Sequence, residues 1–390
     1  MAYLIKSEAD NRIAALQAYL TGKKLDLALV YYDEFNIGNG WYLTGWCPQF
    51  ESGAVLVPAR GTPMLLGGPE SEPFAHQDSA VKETRNFPVF MVPDEEYPNA
   101  EIIDFPGLFA ELNATLGKIT RIGIVGGDRM PYGCYTAILA GFKGVEIVDI
   151  TGDFLKFRHL KSEWEQQQVA EGFKLADFAR DAMMDALKPG VSEISVAAAG
   201  EYAARRRSAS GFGFSAIVGS DKRANAVVPT ASSRILQSGE MVMLGLAPKW
   251  NGYAGVFGDT VPVSGDYTQR QKDCVNHLRE AFRLTKAMLK VGASGREIDA
   301  PARKYFADHG LLPYLVCPFV HTIGLQEAEA PFFGPNSDDV LQAGMTVCVD
   351  VSFFGHPEFN GARIETGYLI TGSGAVPFST EMDALHCSEL

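Results

Sequence analysis

Two acidic residues stand inside apolar, strand-forming runs near the end of this chain. Asp350 sits between Val349 and Val351 in "VCVDVSF", and Glu365 follows Arg363 by two residues in "ARIETG". A carboxylate in an apolar sheet is costly unless it is paired, so each acid needs a partner or a task. The period of two puts Arg363 and Glu365 on one face of their strand, which fits a structural salt bridge. A carboxylate pair, Asp350 with Glu365, is the other reading: two close acids push one pKa up and share a proton near neutral pH. His321 adds a group that titrates in that range. It lies between Val320 and a Thr-Ile-Gly run. A lone His there is most often a satisfied core residue; the alternative open to an imidazole is to act as a general acid or base. Glu327 and Glu329 follow in "LQEAEAP" as loop acids, then Phe332 and Phe333, which either line a pocket or pack.

The elements that must carry these residues fall into two groups. Up to about residue 155, helical spacing ("NRIAALQAYLTGKKL") alternates with buried strand patterns ("DLALVYY", "SGAVLVPA", "TPMLLGG", "RIGIVGG", "VEIVDIT"). That alternation predicts an α/β domain over residues 1–157. Beyond it come long amphipathic helices, the first ended by Pro189 and Gly190 and the second capped by Ser192. Mostly antiparallel strand patterns follow, including "EMVMLGLAP", "GYAGVFGDTVPVSG", "MTVCVDVSFF" and "ARIETGYLITGSG". This predicts an α+β domain over residues 158–390. Within it, residues 245–265 read as a hairpin bent at residues 249–252.

Composition narrows the function. The chain has 390 residues, 46% of them hydrophobic, which is enough for two cores, and its net charge of −13 disfavours nucleic acid or an anionic membrane as partner. No apolar run reaches the length of a membrane span, and the N-terminal stretch does not read as a secretory signal. The six scattered cysteines, without CxxC spacing, suit reduced thiols in a cytoplasmic protein.

Four segments, in order, resemble one family. They are "NGWYLTGW" with "FRHLKSEWEQQQVAEGFKLAD", the hairpin "WNGYAGVFGDTVPVSG", "HTIGLQEAEAP", and "LQAGMTVCVDVSFFGHPEFNGARIETGYLIT". The chain is thereby identified as a member of the creatinase / aminopeptidase P / prolidase group. That resemblance implies a pita-bread fold for the C-terminal domain. It also implies a two-metal site in the peptidase members, held by two hairpin Asp, one His and two Glu. Carried over, the hairpin Asp positions fall on Gly245 and Val256, the His on His321, and the Glu positions on Asp350 and Glu365. The hairpin Arg position is Asp259, the second His of the 321–331 motif is Ala328, and Val228 stands near where another His is carried. Gly245 and Val256 offer no donor. Asp259 lies an odd number of residues past the lost Asp and so points to the opposite strand face.

Creatinase, a family member without metal, resembles this chain in keeping the His and the late acids. The expectation is therefore a metal-independent, cofactor-free, creatinase-like hydrolase of a C–N bond in a small polar amidino, amide or amino substrate. His321, Glu365 and Asp350 would be catalytic. Glu329, Glu327, Asn225, Arg363, Phe332, Trp46 and Phe50 would bind substrate, the last two from a loop that caps the partner subunit's site in related homodimers. The alternatives are a metal-dependent Xaa-Pro aminopeptidase or dipeptidase with a reduced metal site, and a non-catalytic peptide-binding relative.

Overall fold

The computed structural model describes residues 4–390. Met1, Ala2 and Tyr3, where the first expected domain and the stretch read as no secretory signal begin, lie outside the described residues. The chain divides into two compact units, Met1–Arg158 and His159–Leu390. Among the described residues no helix is long and apolar enough to cross a membrane.

The first unit is a six-stranded mixed sheet. Its strands are β1 (Leu27–Tyr32), β2 (Gly53–Pro58), β3 (Met64–Gly67), β4 (Glu83–Asn86), β5 (Arg121–Val125) and β6 (Glu146–Asp149), in the order β4-β3-β2-β1-β5-β6. Its helices are α1 (Lys6–Lys23), α2 (Gly38–Thr44), α3 (Glu72–Asp78), α4 (Phe105–Leu116), α5 (Tyr132–Gly141) and α6 (Thr151–Leu155). β1 is buried along its whole length, as its apolar run requires of a central strand. β4, "ETRN", has no apolar pattern because it is an edge strand half open to water.

The second unit wraps four long helices around one large antiparallel sheet. The helices are α7 (Glu163–Ala186), α8 (Glu193–Arg205), α9 (Gln269–Lys286) and α10 (Gly295–Asp308). Ser162 starts α7 with a reciprocal capping box to Glu165, and Ser192 caps α8. The strands are β7 (Gly211–Phe212), β8 (Ile217–Ser220), β9 (Met241–Leu246), β10 (Pro248–Trp250), β11 (Tyr253–Ala254), β12 (Phe257–Pro262), β13 (Val320–Thr322), β14 (Glu329–Phe332), β15 (Thr346–His356), β16 (Asn360–Thr371) and β17 (Gly374–Pro377). The eight-stranded sheet runs β14-β13-β15-β16-β12-β9-β8, with β17 on β16; β7, β10 and β11 form a small sheet of their own.

The hairpin of residues 245–265 is thus split between two sheets. Its tip turns at Asn251 and Gly252, both at positive φ (48° and 87°), the pairing a tight hairpin favours. The break falls at Gly255, where α7 comes so close that an added Cβ would lie 2.1 Å from the backbone of Gly172 and Phe173. Only glycine tolerates that approach.

Strand alternation then decides what faces the helices. Val347, Val349, Val351 and Phe353 of β15, with Ile364, Tyr368 and Ile370 of β16, join a core with α9 and α10. Cys348, Asp350 and Ser352, with Arg363 and Glu365, are therefore turned to the other face.

Candidate active site

Register brings the late acids together. β15 and β16 pair Asp350 directly with Glu365, Ser352 with Arg363, and Cys348 with Gly367. On the other side of β15, His321 is the cross-strand partner of Cys348. Gly258 of β12 lies opposite Glu365 and pairs in turn with Gly245. The neighbouring strands therefore offer no donor at these positions, as their glycines dictate.

Arg363 is the clamp of this face. Its Nε donates to Asp350 Oδ1 at 2.9 Å and its Nη2 to Glu365 Oε2 at 2.6 Å. All three side chains are buried. Thr260 fixes the strand below: its hydroxyl donates to the Arg363 carbonyl and accepts the Arg363 amide. The bridging guanidinium occupies one oxygen of each carboxylate. Glu365 Oε1 is left buried without a hydrogen bond.

His321 points at that oxygen. Its Nδ1 lies 3.1 Å from the Thr322 carbonyl oxygen; a carbonyl only accepts, so Nδ1 carries a proton and Nε2 presents its other face to the acids. Nε2 is 3.3 Å from Glu365 Oε1 and 3.7 Å from Glu327 Oε1. Glu327 Oε1 is also buried without a hydrogen bond. Three electron-rich atoms thus converge, and a positive charge must lie among them, as a proton on Nε2 or as a cation.

The electrostatics match that convergence. Burial alone would lower the His321 pKa, but Glu365, Glu327 and Asp350 overcome it and raise it to about 9. Burial pushes Glu327 up to about 7, with the charge of Glu365 adding to it, and Asp350 up to about 6 against the pull of Arg363. Glu365 goes the other way: burial opposes its charge, and Arg363 and His321 win, holding it well below the ordinary range.

The remaining expected site residues divide. Phe332 pairs with His321 across β13 and β14, with ring centroids 6.1 Å apart and its own side 44% exposed, so it forms an apolar flank of the cluster. Glu329 is not brought to the cluster. It pairs with Thr322 rather than His321, on the alternate face, where its carboxylate meets the buried Lys161 at 3.2 Å and accepts from the Gln326 amide. Alternation along β14 corrects its expected role to a structural ion pair. Asn225 ties a hairpin tip instead of facing the acids: its Oδ1 accepts from Gly355 N at 2.9 Å and its Nδ2 donates to Asn360. Its segment is anchored by fully buried Glu193, which takes bonds from Ser220, Arg223 and Ser232. Trp46 and Phe50 belong to the first unit, where Phe50 is 84% exposed. Asp259 faces α7 and is held by Arg180 at 2.8 and 3.0 Å. Sequence reading passed over Cys348. The period of two places it on the site face two residues before Asp350, and its Sγ lies within 4.8 Å of donor atoms of His321 and Glu365.

A model of the metallopeptidase family M24 matches residues 167–372, and one of the creatinase/prolidase N-terminal domain matches residues 12–160. The chain belongs to metallopeptidase family M24. It is 31% identical over 276 residues to the uncharacterized peptidase YqhT of Bacillus subtilis, covering 70% of this chain and 78% of that one. It is 25% identical to a Xaa-Pro dipeptidase of Pyrococcus horikoshii over 94% of this chain and 96% of the relative. Among solved structures, the Xaa-Pro dipeptidase from Bacillus anthracis matches with a TM-score of 0.80 at 25% identity, covering 95% of this chain and 98% of that one. The prolidase from Pyrococcus horikoshii matches the fold with a TM-score of 0.80 at 21% identity, over 94% and 97%. The α/β N-terminal domain and the α+β pita-bread C-terminal domain are therefore those of the family.

Membership overturns one expectation. A metal-independent hydrolase of small non-peptide compounds is not what a metallopeptidase family and relatives named Xaa-Pro dipeptidases support. The physical reason for the error is the donor count. The five-ligand, two-metal set does not fit this M24 chain, because Gly245 and Val256 carry no donor and Arg363 binds an oxygen of each acid. Donor atoms of His321, Cys348 and Glu365, all within 4.8 Å of one another, are placed so that they could hold one cation. Glu327, expected to bind substrate, brings a further donor 3.7 Å from His321 Nε2, and two of the three converging atoms are buried carboxylate oxygens without a hydrogen bond.

Proposed function

We propose that this protein hydrolyses the peptide bond of short Xaa-Pro peptides from a centre built for one cation. The observation that carries the proposal is the convergence of His321 Nε2, Glu365 Oε1 and Glu327 Oε1, with both carboxylate oxygens buried and lacking a hydrogen bond. The names of the relatives supply the substrate class. A divalent cation held by His321, Glu365 and Glu327 would supply Lewis acidity toward the scissile carbonyl.

The chain's own residues supply the rest. The Nδ1–H bond to the Thr322 carbonyl holds the His321 ring in the orientation that aims Nε2 into the centre. Arg363 fixes Asp350 and Glu365 so that neither carboxylate swings. Asp350, raised to about 6, gives or takes a proton near neutral pH. Phe332, partly exposed beside His321, offers an apolar contact to a prolyl ring.

The test is hydrolysis of Xaa-Pro dipeptides beside matched Xaa-Ala dipeptides, before and after chelation. Expected are cleavage of Xaa-Pro, its loss on chelation, and its return with about one equivalent of metal. Cleavage indifferent to a strong chelator contradicts the proposal. A second reading, peptide binding without turnover, is favoured by Gly245, Val256 and Ala328 where the family carries functional side chains. Calorimetric binding of Xaa-Pro dipeptides by a metal-loaded protein that does not cleave them would select it.

The proposal includes a homodimer formed through the loop of Trp46 and Phe50. Phe50 is held at a positive φ of 61° with its ring in solvent, an exposure that self-association would relieve. Sedimentation should give twice the chain mass, and a monomer at micromolar concentration would refute it.

A further inference from the structure

We propose that the cation centre includes a thiolate ligand, Cys348, and that the resulting nitrogen, oxygen and sulfur donor set selects zinc or cobalt over manganese and magnesium. The inference rests on the single-cation reading and deepens it by naming the metal class.

Three observations carry it. Donor atoms of His321, Cys348 and Glu365 all lie within 4.8 Å of one another, and all three residues are buried. Each is borne by a strand of one sheet. Cys348 is the direct cross-strand partner of His321, and opposite it on β16 stands Gly367, on which the Phe173 ring of α7 packs. Finally, Glu365 Oε1 is buried without a hydrogen bond and lies 3.3 Å from His321 Nε2, so it has a lone pair free for a ligand that takes the place of a proton there.

Softness then decides the metal. Thiolate and imidazole suit zinc and its cobalt substitute, whereas magnesium and manganese prefer sites of oxygen alone. As the metal binds, the Cys348 thiol proton and any proton on His321 Nε2 are released to solvent, while Nδ1 keeps its own. The three strand-borne ligands leave a fourth position, the arrangement of a working zinc site. Glu327 stands beside that position. It comes from the segment between β13 and β14 rather than from a strand, and its side chain, 13% exposed, is more open than those of His321 and Glu365. It is the donor that yields to substrate.

Titration of the metal-free protein with cobalt tests this by absorption. One equivalent should bind, with a sulfur-to-cobalt charge-transfer band in the near ultraviolet. Cys348→Ser, nearly isosteric, should abolish that band, keep one cobalt on the remaining ligands, and weaken zinc binding by about 10²-fold or more. Manganese should fail to displace cobalt. Cobalt bound without the band, or a band unchanged in Cys348→Ser, overturns the thiolate while leaving the single-cation centre intact. No cobalt bound at all overturns both.

Discussion

His321→Ala is expected to lower kcat on Xaa-Pro dipeptides by about 10²–10⁴-fold, the range for losing a group that acts on the reacting atoms. The argument is geometric. Nε2 is the atom on which both orphaned carboxylate oxygens converge, at 3.3 and 3.7 Å, and Nδ1 is tied to a backbone carbonyl. The ring is therefore held from behind and presented forward, as a ligand or proton carrier must be. Removing it leaves Glu365 and Glu327 facing each other with nothing positive between them. Steady-state kinetics beside circular dichroism separate lost chemistry from lost fold. A folded variant that keeps kcat within about threefold, below the smallest loss expected of such a group, removes His321 from the centre.

The largest stability effect should come from Arg363→Leu. Arg363 donates to Asp350 and Glu365 together, and all three are buried. Breaking a buried pair by removing one partner costs about 3–5 kcal/mol, because the partner's charge stays behind without compensation. Here two carboxylates are stranded, so the upper end of that range applies. The measurement is the urea midpoint of the second unit's transition. Arg363→Lys should recover part of the loss, since a point charge cannot bridge two carboxylates as a planar guanidinium does. A loss under about 1 kcal/mol in Arg363→Leu, the worth of an exposed pair, contradicts the clamp.

The fold was legible where patterning is strong. Apolar runs such as "DLALVYY" became the buried strand β1, and the capping serines 162 and 192 open α7 and α8. β4 escaped because an edge strand needs no apolar face. The split of the 245–265 hairpin escaped because its cause, the closeness of Gly172 to Gly255, lies more than eighty residues away in sequence. At the candidate site, alternation placed Arg363 and Glu365 together, but pairing Asp350 with Glu365 is a matter of register, which one strand's pattern does not contain. Glu327 and Glu329 were indistinguishable as loop acids. The structure separates them: one sends an orphaned oxygen toward His321 and the other meets buried Lys161. Cys348 was within reach of the sequence, since it shares the period of two with Asp350.

The central claim is a centre for one cation organised by His321, and counting metal tests it most directly. The protein, dialysed against zinc and then against metal-free buffer, is measured for bound metal per chain, beside His321→Ala treated alike. The account predicts about one zinc on the unaltered chain and little on the variant. No retained metal, or equal metal on both proteins, would contradict it.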